Sequence, residues 1–416
     1  MIERYFSAPK TIRRIRAGLS GPFIDGFANA LQQQRYSPSM VIRSLHAASH
    51  FGWFMQRRGS VFSNINERTM EAFRRHLLHC NCYQIHNRRN TGYHAYFGMK
   101  RFHRYLINLG ICAANMAENN GITEPVLVSD FRNWFQTHRG VAEPTLRLYC
   151  RGAVDLLETL GEDIGLWSVR SVRQFMLDRS SQCGAGTTQK LITSLRAFLR
   201  FLSFCGYIKT DFHLAIPAIA HWRLASLPRC LSSEEVDRLI AACDGNTTAR
   251  IRDLAIVLML CRLGLRAGDL AFLRLDDIDW MNGTLLVIGK GRYQVRLPLP
   301  QDVGDALLRY VSLRPLDIGT DRVFLRNCAP VRPFVSGDGI SNVVDRALQR
   351  AGVESPARGA HLLRHTAASE MLRHGVPLEQ IGLVLRHRSI DMTAYYAKAD
   401  VALLQQIVQP WPEVNA

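Results

Sequence analysis

Two stretches of the first half carry the same pattern of large apolar residues at helical spacing, and no other feature limits the fold as much. The first opens PFIDGFANALQQQ at Pro22 and closes YFGMKRFHRYLINLGI from Tyr96 to Ile111. The second opens PVLVSDFRNWFQTHRG at Pro125 and closes ITSLRAFLRFLSFCGYI from Ile192 to Ile208. In both, Phe and Leu recur at the spacing that stacks them on one helix face, and a glycine ends the last helix. Phe27 aligns with Phe131, Phe102 with Phe198 and Gly110 with Gly206. The first half is therefore expected to be all helical, a four-helix unit over 1–118 duplicated over 122–217.

Residues 218–230 lack helical periodicity and carry prolines at the edges, which marks a linker. A new domain, 231–416, begins with Ser232 or Ser233 as a helix cap followed by Glu234 and Glu235 in the first turn. Apolar spacing predicts helices over 251–263, 265–275, 302–313, 341–351, 362–374, 378–385 and 391–397. TLLVIG (284–289) and QVRLPL (294–299) alternate as strands, joined by a Gly-containing turn into a hairpin. The expected class is mainly α with a small antiparallel β-sheet in the last domain.

The net charge of +17, most of it from arginine, points to a polyanionic partner, and nucleic acid is the commonest one. Arginine also suits bidentate phosphate contacts. The longest apolar run, 254–261, is too short to span a bilayer, and arginines interrupt the first twenty residues where a signal peptide would lie. Ten cysteines without paired spacing suit reduced thiols. A cytoplasmic protein is expected, with no membrane partner. The helices that close the two repeats present Lys100, Arg101 and Arg104, and Lys190, Arg196 and Arg200. Such faces are either solvated or laid against a phosphate backbone, and the charge favours the second.

His76, His79, Cys80, Cys82 and His86 crowd into eleven positions with metal-ligand chemistry. No second half-site accompanies them, so a polar helix end is the expected reading and no metal or other cofactor is assigned.

Breaking a phosphodiester without a metal needs a nucleophile, cations for the non-bridging oxygens and an acid for the departing oxygen. The last domain offers all three. Arg266 and Asp269 lie one turn apart, as do His361 and Arg364, so each pair shares a helix face. Lys290 and Arg292 sit in the hairpin turn GKGR, which lacks the spacing and the Ser/Thr of a nucleotide-binding P-loop. Tyr395 and Tyr396 diverge by about 100° on a helix, so only one can face a given site. Taken singly, these are also what ion pairs, caps and packed aromatics look like.

In order, GLRAGDLAFLRLDDIDW, GKGRYQVRLPLP, HLLRHTAASEML and LRHRSIDMTAYY resemble the tyrosine recombinases, the family of phage integrases and chromosome-dimer resolvases. The resemblance covers 231 to about 408 and extends loosely to 122–217, which is similar to the family's core-binding domain. It implies a catalytic set of Arg266, Lys290, His361, Arg364, His387 and Tyr396, with spacing from His387 selecting Tyr396 as nucleophile. Asp269 would orient Arg266, Lys290 would protonate the 5′ oxygen, and His361 would exchange a proton with the tyrosine or the leaving oxygen. A tyrosine hydroxyl ordinarily titrates near 10, so those cations would have to activate it. Arg386 stands where the family usually has a Gly that relieves a left-handed backbone, and a phosphate contact is expected of it instead. The implied reaction is site-specific cutting and rejoining of double-stranded DNA through a 3′-phosphotyrosine, requiring neither ATP nor Mg²⁺. A tetramer on two sites, aided by accessory proteins, would follow if the apolar tail stripe Val401, Leu404, Ile407 and Val408 docks on a neighbour. A type IB topoisomerase or a DNA-binding regulator with a decayed site are the competing readings.

Overall fold

The computed structural model describes residues 1–80, 91–112, 124–217, 229–288, 294–355, 357–387, 389 and 391–397. The chain divides into two compact units, 115–226 by itself and 1–114 together with 227–416. Among the described residues no helix is long and apolar enough to cross a membrane.

Residues 1–114 form α1 (Pro9–Arg16), α2 (Gly21–Gln33), α3 (Pro38–Arg57), α4 (Glu67–His79) and α5 (Thr91–Asn108). Ser37 caps α3 by accepting from the Met40 amide, with Pro38 in the first turn where its missing N–H costs nothing. Asn66 caps α4 in the same way through Thr69. Helix α3 is the centre of this core. It buries Val41, Leu45, Phe51 and Met55 against Ile24, Phe27, Met99 and Phe102.

The unit 115–226 contains α6 (Val126–Arg139), α7 (Glu143–Leu160), α8 (Val169–Ser181) and α9 (Ala185–Phe204). Its core joins Phe131, Leu156, Phe175, Phe198 and Leu202. The positions aligned in sequence have matching surroundings. Phe27 meets Phe102 edge-on at 5.1 Å and 64°, and Phe131 meets Phe198 at 5.3 Å and 70°. Gly110 and Gly206 have φ of 74° and 78°.

The last segment comprises α10 (Ser233–Ala241), α11 (Thr248–Leu263), α12 (Ala267–Phe272), strands β1 (Ile278–Asp279), β2 (Thr284–Ile288) and β3 (Gln294–Pro298), then α13 (Gln301–Leu313), α14 (Gly337–Arg350), α15 (Ala360–Arg373), α16 (Leu378–Val384) and α17 (Asp391–Ala397). Ser232 and Glu235 make the reciprocal capping box that starts α10. The sheet is antiparallel in the order β1-β2-β3, with Leu285 opposite Leu297 and Val287 opposite Val295. Leu285, Val287 and Leu297 are buried, so the alternation read from sequence turns one face to the core.

Helix α11 is buried nearly all round and even encloses the pair Arg252–Asp253 at 2.6 Å. Arg350 approaches the second Asp253 oxygen at 3.1 Å, and the Leu325 carbonyl accepts from Arg252, so no charge there is left unsatisfied. The expected helix 265–275 is shorter than its apolar pattern. Leu273 turns extended, and the chain continues into a 3₁₀ turn at Leu275–Asp277, where Asp277 accepts from the Arg274 amide.

Candidate active site

The site is built on the ends of five helices. Helix α11 stops at Gly264, whose φ of +56° ends the helix; a Cβ here would lie 2.5 Å from Leu385 Cδ2. The chain then turns through Leu265 and places Arg266 at the N-cap of α12. Asp269 accepts the Arg266 main-chain N–H at 2.9 Å. It thus fixes the backbone of Arg266, whereas the helical spacing alone suggested contact with its guanidinium. The Arg266 side chain donates to the Arg386 carbonyl at 3.3 Å.

Helix α15 starts after Gly359 and carries His361 and Arg364 in its first turns. Arg364 is 2% exposed; it donates to the Gly264 carbonyl at 2.5 Å and also to the Leu385 carbonyl. Burial pushes this guanidinium down to about 10, the nearby Arg266 adds to that, and a charged Tyr396 acts the other way. The phenol of Tyr396 therefore lies within electrostatic reach of Arg364.

Helix α16 ends in a paired-hydrogen-bond motif: the His387 amide donates to Gly382 O at 2.9 Å and the Arg386 amide to Leu383 O at 3.0 Å. Arg386 occupies the left-handed position at φ +56°. The backbone conformation that favours glycine is thus present, held by an arginine. Its side chain does not reach outward toward a ligand. It is 4% exposed and pairs with Asp269, itself 8% exposed, at 2.5 Å.

Tyr396, on α17, is 2% exposed and packs with Ala368, Ile381 and Leu385. Its ring lies parallel to His387 (6.2 Å, 4°) and tilted against His365 (5.4 Å). His365 in turn meets His361 edge-on at 4.3 Å. His387 Nδ1 is hydrogen-bonded to the Thr393 hydroxyl at 2.8 Å, and Thr393 is fully buried. His365 and Thr393 are the residues that sequence reasoning passed over. The signal for His365 was its place one turn after His361 and next to Arg364.

His365 and His387 are held neutral, and His361 is shifted in the same direction. Burial, then Arg364 and Arg266, lower His361; burial, His361 and Arg364 bring His365 to about 4; burial, Arg364 and Arg266 bring His387 to about 4. Neutral imidazoles beside a phenol can accept its proton, and two guanidinium groups nearby can hold an anionic oxygen pair. Lys290 and Arg292 lie outside the described residues, as do the tail positions Val401, Leu404, Ile407 and Val408.

The basic helix faces are mixed. Lys100, Arg104, Lys190 and Arg200 are exposed. Lys100 also lies over the Tyr96 ring at 5.0 Å, half-buried Arg101 over the Tyr36 ring at 5.3 Å, and Arg196 donates to the Ile216 carbonyl at 2.9 Å. Of the histidine–cysteine cluster, His76 and Cys80 come together with His50 of α3, whereas His79 is exposed. Cys82 and His86 lie outside the described residues.

Residues 229–402 match the Phage integrase family. A Sinorhizobium fredii protein named as an integrase/recombinase, y4gC, is 38% identical over 196 residues, 46% of this chain and the whole of that protein. A second one from the same organism, y4rA, is 42% identical over 60% of this chain; the match spans 61% of its own length. Among solved structures, a lambda integrase tetramer bound to a Holliday junction shares the fold with a TM-score of 0.53 at 16% identity, covering 74% of this chain and 86% of that one. Arg266, His361, Arg364, His387 and Tyr396 all lie inside the matched region, and the chain belongs to the phage integrase family of tyrosine recombinases.

Proposed function

We propose that the protein cuts and rejoins specific DNA sites by transesterification at Tyr396. The phenol oxygen attacks the scissile phosphorus and its proton passes to a neighbouring base. The bond to the 5′ oxygen breaks, that oxygen takes a proton from Lys290, and a 3′-phosphotyrosyl link remains. The 5′ hydroxyl of a partner duplex then attacks this link, which restores the phosphodiester and the free phenol. Arg266 and Arg364 bind the non-bridging oxygens as charge builds, and His387 supplies a further contact. His361 exchanges the proton with Tyr396 or the leaving oxygen. The phosphodiester bond energy is kept in the protein–DNA link, so the exchange needs neither ATP nor Mg²⁺.

The observation that carries this reading is the lodging of the Tyr396 ring against His365 and His387, within reach of Arg364, in a single chain. No neighbouring protomer has to supply the nucleophile. The lambda integrase relative is a tetramer on a Holliday junction, and we extend that assembly to this chain, with two DNA sites held by four copies. The 1–118 and 122–217 segments are two descendants of one helical unit, and they contact DNA through Lys100, Arg104, Lys190 and Arg200. The protein works bound to DNA in the cell, with accessory proteins setting the direction of exchange.

A nicked suicide substrate, built on DNA selected for binding to the full chain, tests the chemistry. The wild type should give a denaturation-resistant protein–DNA band without added Mg²⁺. Tyr396→Phe should give none, and Tyr395→Phe should still form it. The opposite result for the two tyrosines would overturn the assignment.

A further inference from the structure

We propose that His50, His76 and Cys80 bind a zinc ion in the first helical segment. His50 comes from the middle of α3, His76 from the last turn of α4, and Cys80 ends that helix one turn further on. The Nε2 atoms of the two histidines are 3.2 Å apart, and Cys80 Sγ is 3.3 Å from His50 Nε2. All three ligand atoms lie within 4.8 Å of one another.

Hydrogen bonding among these groups does not account for that convergence. A ring nitrogen has one in-plane direction, filled either by its hydrogen or by its lone pair. His76 Nε2 and Cys80 Sγ both approach the same nitrogen of His50, so a proton can serve one of the two contacts properly. A cation at the centre serves all three. Tetrahedral zinc with Zn–N near 2.0–2.1 Å and Zn–S near 2.3 Å sets its donors roughly 3.3–3.6 Å apart, so the contacts at 3.2 and 3.3 Å would need to open by only a few tenths of an ångström. Two imidazoles and one thiolate are a borderline-soft set, suited to zinc and unsuited to Mg²⁺ or Ca²⁺.

The position also suits a structural ion. Phe73 is the one fully buried residue of α4, and Met70, Ala72 and Leu77 pack only partly against the core, so apolar packing holds that helix mainly through Phe73. His50 and His76 already pack edge-on at 5.2 Å, and His50 stands against Phe73, so the ligands are fixed by the same aromatic cluster. Zinc would tie the end of α4 to α3 across the intervening chain. None of this depends on the chemistry at Tyr396.

The full chain, purified without chelators or a metal-affinity tag, should hold about one zinc per chain by elemental analysis. Cobalt exchanged into it should show a thiolate-to-metal charge-transfer band and the strong visible bands of tetrahedral coordination. Cys80→Ser should abolish the charge-transfer band, His50→Gln should lower zinc content at least about fivefold, and His79→Gln should leave both unchanged. Wild-type protein with less than about a tenth of an equivalent after zinc addition and no cobalt band would overturn the proposal. So would full zinc retention by both His50→Gln and Cys80→Ser. Should His50→Gln fail to fold, the cobalt spectrum of the wild type against Cys80→Ser still decides.

Discussion

Replacing Asp269 by alanine should destabilise the last segment far more than loss of a surface carboxylate would. The Arg386 side chain is 4% exposed, Asp269 is 8% exposed, and they pair at 2.5 Å. Among the described residues Arg386 Nε and Nη1 are also buried and make no hydrogen bond, so there the pairing of that guanidinium rests on this carboxylate. Removing one partner of a buried pair costs about 3–5 kcal/mol, because the other charge stays behind. Arg386→Gly loses the same pair but also releases a non-glycine residue from φ +56°, worth roughly 1 kcal/mol, so its cost should be about 2–4 kcal/mol. In the double variant no charge is stranded, and the cost should fall below the sum by about 2–3 kcal/mol. Hydrogen exchange on the full chain reads this in α12 and α15. Amides there that open only with the whole segment should exchange roughly two to four orders of magnitude faster in Asp269→Ala. Exchange within about threefold of wild type, or strictly additive single and double variants, would refute a buried and mutually dependent pair.

Gly264→Ala should cost about 1–3 kcal/mol and weaken covalent adduct formation, since a Cβ would press on Leu385 and shift the carbonyl that holds Arg364; an unchanged melting temperature with normal adduct yield argues against it. His365→Phe keeps a ring against Tyr396 but loses its nitrogens. We expect roughly 10- to 100-fold slower adduct formation with an altered pH profile, where a purely packing role would leave the profile alone. His365 and His387 are held near 4 in the folded chain against an unfolded value of about 6.5. Between those values the unfolded chain binds more protons. Their contribution is complete above about pH 6.5 and is lost as pH falls toward 4, by at most ~1.4 kcal/mol per pH unit for each histidine. Urea midpoints measured from pH 8 to 4.5 should fall on acidification; a flat or rising series contradicts the burial of these rings.

Local patterns carried most of the elements into view. The α13 and α17 bounds differ from their apolar periodicity by a residue at most, and the second hairpin strand ends one residue early, at Pro298. Pairings between distant segments were hidden. His50 precedes His76 on another helix, so a ligand set read along one run of sequence omits the residue that makes it converge. Arg386 illustrates the boundary. Its left-handed backbone follows from the glycine it replaces, but the inward turn toward Asp269 depends on where α12 ends up, which no spacing near residue 386 encodes.

That inward turn bears on the chemistry. Among the described residues no carboxylate pairs with Arg364; it is held by the carbonyls of Gly264 and Leu385, where α11 and α16 end. Helix C-terminal carbonyls carry partial negative charge, enough to orient a guanidinium without cancelling it. Asp269 is a negative charge that acts on Arg364, and Arg386 pairs with it. An arginine fixed by carbonyls keeps nearly its whole charge for an incoming phosphate. One fixed by a carboxylate would first have to give up its partner. On the proposed function, the pairing of Asp269 with Arg386 leaves Arg364 to the phosphate, and exchanging Asp269 for a carboxylate able to reach Arg364 should inhibit phosphate binding even where stability is restored.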